Sequence, residues 1–198
     1  AFVKRVMYSS TSSAYGLTNI PPLVETMPVD CLNPYSVSKV AGESACAMYT
    51  KLWGLETVIF RYFNVYGPRE PTKGAYAPIV GLFLRQYHAG QPFTIVGDGT
   101  QRRDFTHVDN VVEMNIRAAF STLHPELYGT IFNVGTGRNH SMLELANMIN
   151  PFQLKMWLRK RKGEAFITLA DTTKTNTHLG EWSEAPTIEE YCAQGVKG

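Results

Sequence analysis

Cysteine is scarce in this sequence: Cys31, Cys46 and Cys192 are the only three in 198 residues, and no C-x-x-C occurs. An odd number of widely spaced cysteines excludes a disulfide framework and reads as reduced thiols, which suits a cytoplasmic protein. The five histidines form no H-x-x-x-H pair, so no metal centre is expected. Long apolar runs are missing too. No stretch of 18 or more apolar residues is present to span a membrane. Ala1-Phe2-Val3-Lys4-Arg5 is followed by no apolar segment of the kind a signal peptide carries. An excess of one charge is also lacking. With 19 basic and 17 acidic residues the formal charge is +2, which gives no global pull towards nucleic acid. The run Arg159-Lys160-Arg161-Lys162 is a local exception.

One further absence is specific. A complete dinucleotide-binding fold opens with a strand, a G-x-G-x-x-G turn and a helix, then an acidic residue about 20 positions on. Here Gly97-x-Gly99 and Gly135-x-Gly137 are the G-x-G pairs, and neither continues to the third glycine. The first strand reads as a mid-sheet strand. The expectation is the latter part of a larger α/β protein. Its 44% hydrophobic content is enough for a core of one or two domains.

What is present begins at Asn33-Pro34-Tyr35-Ser36-Val37-Ser38-Lys39. Asn is a good N-cap and Pro suits the first helical position. A tyrosine and a lysine four apart on a helix share one face, one turn apart. A free phenol has a pKa of about 10, too high for a base at neutral pH, and a nearby cation lowers it. Such a pair beside a hydroxyl can remove a proton from an alcohol. The helix runs through small residues to about Leu52, and Gly54 is placed to stop it.

Around this helix the pattern alternates strand and helix. Lys4 to Ser9 reads as a short buried strand, and Glu56 to Tyr62 as a second. Strand, helix, strand in that order predicts a crossover within a parallel sheet. Residues 67–75 are turn-rich and form a candidate boundary. A helix is expected from about Tyr76 to His88, a strand over Phe93 to Val96, and a helix capped by Asp109 running to about Leu123. Thr130 to Val134 reads as another buried strand. Ser141-x-x-Glu144 and Thr187-x-x-Glu190 are capping boxes, and Asp171 opens a short helix that ends at Gly180. His107 is expected at a strand end.

Several motifs now stand in a fixed order. They are Ser9-Ser10-Thr11 with Ala14-Tyr15-Gly16, Tyr35-x-x-x-Lys39, and Arg61-Tyr62-Phe63-Asn64-Val65-Tyr66-Gly67-Pro68-Arg69. Then come Gly97-Asp98-Gly99 with Arg103-Asp104-Phe105 and Val108-Asp109, Asn133-Val134-Gly135-Thr136-Gly137, and Arg161-x-Gly163-Glu164. Together they resemble the extended short-chain dehydrogenase/reductase family, in particular its nucleotide-sugar epimerases, over nearly the whole chain.

The resemblance implies an α/β fold: the C-terminal part of a Rossmann-like parallel sheet plus a smaller substrate-binding lobe. Residues 1–66 and 110–137 would belong to the first, 67–109 and 138–198 to the second. It implies NAD as cofactor, a UDP-sugar substrate and a homodimer, with no nucleic-acid or membrane partner. Tyr35 would be the base and acid, Lys39 would hold the nicotinamide ribose, and Thr11 would bond the reacting hydroxyl. Ser9, Ser10, Tyr62 and Phe63 would lie at the cofactor. Asn64, Arg103 and Arg161 would grip the diphosphate, where guanidinium forks match phosphate oxygens.

The residues after Thr11 indicate the reaction. Dehydratases and decarboxylases of this family carry a carboxylate there, whereas Ser12 and Ser13 are neutral. Without an acid to protonate a leaving hydroxyl, 4-epimerisation through a 4-keto intermediate is expected. A nucleotide-sugar reductase and a non-catalytic sugar-nucleotide-binding fragment stay open as alternatives. The position that gates the sugar pocket in related enzymes is the small Thr168, and Gly74-Ala75-Tyr76-Ala77 resembles enzymes acting on N-acetylated sugars.

Overall fold

The computed structural model describes residues 3–72, 78–160, 163, 165–182 and 186–197. In chain order the elements begin β1 (Arg5–Thr11), α1 (Pro34–Trp53), β2 (Glu56–Tyr62), β3 (Val65–Tyr66), α2 (Ile79–His88), β4 (Phe93–Val96), β5 (Arg102–Asp104) and β6 (Thr106–His107). They continue α3 (Val108–Phe120), β7 (Thr130–Val134), β8 (Asn139–Ser141), α4 (Met142–Ile149), β9 (Lys155–Leu158), α5 (Thr173–Leu179) and α6 (Ile188–Lys197).

β1, β2 and β7 form a parallel sheet in that spatial order. Thr11 pairs with Tyr62, and Tyr62 with Val134, so the carboxyl ends of the three strands are level. Side chains alternate across β2 because the strand period is two. Val58 and Phe60 join Met114 and Ala118 of α3, with Phe132 and Val134, in one apolar core. Arg61, of the opposite parity, meets Glu43 of α1. The two long helices therefore cover opposite faces.

The caps explain the helix limits. Asn33 Oδ1 accepts the Ser36 amide at 2.9 Å, Pro34 occupies the first turn, and Gly54 ends α1 in the left-handed region at φ 66°. Ser141–Glu144 is a complete capping box at α4, and Thr187 and Glu190 exchange the equivalent bonds at α6. Asp171 Oδ1 accepts from the Thr173 amide at the start of α5.

Three expectations are corrected. β1 is not fully buried: Arg5 to Tyr8 are half-covered and Ser9 is exposed, leaving Ser10 and Thr11 as its buried end. α3 is capped by His107, whose Nδ1 accepts the Asp109 amide at 3.2 Å, while Asp109 sits in the first turn, where its charge suits the helix dipole. The helix stops at Phe120 rather than near Leu123. α2 begins at Ile79 behind Pro78, and residues 74–77 lie outside the described residues.

The other half of the molecule is built from short pieces. β3–β6, β4–β9 and β5–β8 are two-stranded ladders. Around them Phe83, Phe93, Ile95, Leu145 and Ile188 form a second apolar core with Tyr66 and Cys192. Each such fully buried apolar side chain is worth about 1.5–3 kcal/mol. A third, small cluster is made of Tyr15, Leu23, Phe63 and Ala170, drawn from widely separated parts of the chain. The three cysteines are free thiols. No helix among the described residues is long and apolar enough to cross a membrane, and no group of three or more metal-binding side chains occurs among them.

Candidate active site

Ligand sites in open parallel sheets form beyond the carboxyl ends of the strands. Here that end carries Ser9-Ser10-Thr11 of β1, Tyr62 at the end of β2 with Phe63 and Asn64 beyond it, and Val134-Gly135 at β7. The first two turns of α1 bring Tyr35 and Lys39 to it. Lys39 Nζ donates to the Ser9 carbonyl at 2.8 Å and sits 6.0 Å from the centre of the Tyr35 ring. The ammonium is also 5.6 Å from the Tyr8 ring, whose hydroxyl donates to the Lys39 carbonyl at 3.2 Å. Tyr35 is 38% exposed, so a ligand can reach it.

Thr11 is buried at the start of a short 3₁₀ turn (Ser12–Tyr15), where its Oγ1 accepts the Ser13 amide at 3.2 Å. An accepting hydroxyl keeps its own proton to donate. The Tyr62 hydroxyl accepts from Asn115 Nδ2 at 2.8 Å and from Ser9 Oγ at 3.4 Å, which fixes it beside β1. Two residues expected at the cofactor offer no open side chain. Phe63 is fully buried with Tyr15 and Leu23, and Ser10 is buried with its hydroxyl on Glu43.

Next to this end is a cleft of about 260 Å³. Asn64, Arg103 and Thr168 line it together with Ser12, Ser13 and Asn33. The first three come from positions up to 104 residues apart yet share one network. Asn64 Nδ2 donates to the Asp104 carbonyl at 2.8 Å and to Thr168 Oγ1 at 3.2 Å, and the Asp104 amide also donates to Thr168 Oγ1 at 3.2 Å. Arg103 Nη1 is steadied by the carbonyls of Arg102, at 2.9 Å, and Phe166, at 3.3 Å. Asn64 itself adopts φ 27°, a conformation that asparagine tolerates better than most residues. Arg161 lies outside the described residues, although its neighbour Gly163 lines the cleft.

Two features hold the cleft walls. Gly16 turns at φ 61°, and a Cβ there would meet the Asp30 carbonyl oxygen at 2.0 Å. Asp30 in turn accepts from the amides of Leu17 and Thr18, which hold its carboxyl below the usual range. On the other wall, Asp104 is fully buried and accepts four bonds, from Thr136 N, Thr136 Oγ1, Gly137 N and Ala170 N, at 2.8 to 3.0 Å. Burial pushes its carboxyl up, against the opposing pull of those donors. A Cβ on Gly135 would come within 2.5 Å of Ala170, so that glycine lets the 104–136–170 knot close. Tyr15, beneath the cleft, donates to Asn133 Oδ1 at 2.6 Å, and burial raises its phenol to about 12. It is a support, not a base.

Sequence reasoning passed over Asp104 as a hub and Glu43 entirely. A signal existed for Glu43: it stands eight residues after Tyr35, two turns along the same helix face.

The profile of the NAD dependent epimerase/dehydratase family matches residues 1–135. The chain is 39% identical over 202 residues to the UDP-glucose 4-epimerase of Mycolicibacterium smegmatis, covering 100% of this chain and 63% of that protein. Its fold is similar to that of UDP-N-acetylglucosamine 4-epimerase from Methanobrevibacter ruminantium in complex with UDP-N-acetylmuramic acid, at TM-score 0.89 and 29% identity, over 98% of this chain and 62% of that one. It is similar too to UDP-glucose 4-epimerase from Thermotoga maritima with UDP-glucose, at TM-score 0.87 and 30% identity over the same shares of the two chains. The chain thus spans somewhat over three fifths of the length of these proteins.

Proposed function

The chain belongs to the NAD dependent epimerase/dehydratase family, and on that premise we propose that the protein carrying it inverts C4 of a UDP-sugar. The observation that carries this reading is the joint placement of an accessible Tyr35, beside Lys39, and a polar cleft with Asn64, Arg103 and Thr168. Ser12 and Ser13 at the cleft wall supply no carboxylate, which favours epimerisation over loss of water.

The residues present suit the nicotinamide end of NAD. Lys39 donates to the Ser9 carbonyl, and an ammonium has three donors, so it can also hold ribose hydroxyls. Ser9 holds it, and the Tyr62 hydroxyl lies against Ser9 Oγ. Bound NAD would supply a site that accepts a hydride and gives it back. Tyr35 takes the C4 hydroxyl proton and later returns it. Thr11 donates to the reacting oxygen and orients it. Inversion requires the hydride to return to the opposite face of the 4-keto carbon, so the sugar must turn to present that face while its diphosphate stays anchored. An anchor at Arg103, Asn64 and Arg161 and a base on α1 allow that division.

We assign residues 1–66 and 110–137 to the cofactor side and 67–109 and 138–198 to the sugar-nucleotide side. The apolar outer face of α1, with Val37, Met48, Leu52 and Trp53 exposed, supports self-association into a homodimer.

The test is Tyr35→Phe in the full-length enzyme, assayed for interconversion of UDP-glucose with UDP-galactose and of their N-acetylated counterparts. Turnover should drop by a factor of about 10²–10⁴, the usual worth of general acid–base catalysis, with UDP-sugar binding retained. Near-normal turnover would sink the assignment.

A further inference from the structure

Beneath the candidate active site lies a charged cluster that neither the proton relay nor the diphosphate grip uses. Arg61 of β2 donates from Nε to Glu43 Oε1 at 2.8 Å and from Nη2 to Glu43 Oε2 at 2.7 Å. The two side chains are 1% and 6% exposed. Ser10 Oγ donates to the same Oε1 at 2.5 Å. The guanidinium lies 4.6 Å from the centre of the Tyr15 ring, and its Nη1 is buried with no hydrogen-bond partner among the described residues.

Such a pair is a poor way to gain stability. Removing two charges from water costs several kcal/mol, and well-packed apolar replacements of buried ion pairs are often as stable or more so. What a bidentate pair offers is direction. Its free direction here points at Ser10. That residue sits between Ser9, whose carbonyl holds Lys39, and Thr11, whose hydroxyl would meet the sugar. Glu43 lies one turn beyond Lys39 and two turns beyond Tyr35 on the same face of α1. The fork therefore ties the strand end bearing Thr11 to the helix face bearing the base.

We propose that Glu43, oriented by Arg61, is a positioning residue that sets the distance between Thr11 and the Tyr35–Lys39 pair through its bond to Ser10. This role rests on the assignment of the protein as a UDP-sugar 4-epimerase. Because misplacement of reacting groups by about 1 Å can cost on the order of 10² in rate, the loss of this tie should appear in kcat.

The experiment uses the full-length enzyme and a double variant, Glu43→Leu with Arg61→Met, that removes both charges at once. The expected result is a melting temperature equal to or above the parent's, KM for the UDP-sugar within about twofold, and kcat down at least about tenfold. Ser10→Ala should give the same split, with bound NAD content unchanged, and Ser10→Thr, which keeps the hydroxyl, should recover kcat. If the double variant does not fold, the two Ser10 variants decide. A kcat within twofold of the parent in a folded double variant or in Ser10→Ala overturns the proposal. So does a fall in kcat accompanied by a lower melting temperature and a raised KM, which is the mark of general support. A parent that epimerises no UDP-sugar overturns the functional reading and this proposal with it. An active parent with active variants overturns this proposal alone.

Discussion

The sheet half and the short-strand half of this molecule are built in different ways. In the first, β1 and β2 are seven residues each, flanked by helices of 20 and 13 residues, and their ends are level to the residue. In the second, the strands run from two to four residues and are paired only in twos. Tyr35, Lys39 and Thr11 stand on the long elements. Asn64, Arg103 and Thr168 stand on or beside the short ones, where Asn64 and Thr168 are bonded to the Asp104 backbone and to each other. The proposed roles match this difference: a base needs a fixed orientation, which regular elements give readily, and a diphosphate grip needs donors from several directions, which a knot of short segments gives.

The comparison makes kinetic predictions, in descending size. Tyr35→Phe, on the rigid side, should strike kcat by the factor of about 10²–10⁴ expected of a lost acid–base group and spare binding. Arg103→Leu, on the other side, should do the reverse. Loss of a charge-assisted bond is worth about 1.5–3 kcal/mol, so KM for the UDP-sugar should rise roughly 10- to 150-fold with kcat held within a few-fold. A kcat loss at constant KM would break the division between the halves. Steady-state kinetics decides both.

Thr168→Tyr should act on selectivity, on top of a common loss from breaking its bonds to Asn64 and the Asp104 amide. Thr168 is buried against the cleft and bonded to Asn64. A phenol in its place would fill the space an N-acetyl group needs, so activity on the N-acetylated sugar should fall at least about tenfold relative to the unmodified one, within the range that steric fit in a pocket provides. Competition between the two substrates in one assay measures this. Equal losses on both would remove Thr168 from the sugar pocket.

The smallest effect concerns stability. His107 joins β6 to α3. It faces Tyr66 at 5.2 Å and Tyr191 at 5.5 Å between ring centres, with the Asp109 carboxylate 3.5 Å from its Nδ1. Burial lowers its pKa from 6.5, partly offset by Asp109. Between the folded value and 6.5 the unfolded chain therefore binds more protons, and stability falls as pH drops through that window, by at most about 1.4 kcal/mol per pH unit. Denaturant melts of the parent and of His107→Gln from pH 7 to pH 5 should show a shallower slope in the variant. Equal slopes would mean that His107 is not held neutral by the fold.

The long elements were legible because each carries a local physical signal. Asn33-Pro34 and Gly54 bracket α1 by capping chemistry, and the apolar runs of β2 and β7 announce buried strands. The two-residue strands β3 and β6 carry no period to read, and β5, β8 and β9 exist only because a distant partner completes their bonds. His107 as the cap of α3 was hidden for the same reason: its extended backbone comes from pairing with Tyr66.

The candidate site divides along that line. Tyr35 and Lys39 share a face because a helix places residues four apart one turn apart, and this follows from sequence alone. So does a first strand that ends in hydroxyl residues, whereas its being level with β2 and β7 comes from the pairing register. That Asn64, Arg103 and Thr168 meet in one cleft, that Asp104 is buried to tie three segments, and that Glu43 and Arg61 pair under Ser10 are outcomes of packing. Contacts across 18 to 104 residues of chain have no local signature, because the partners are brought into reach only when the rest of the fold has packed.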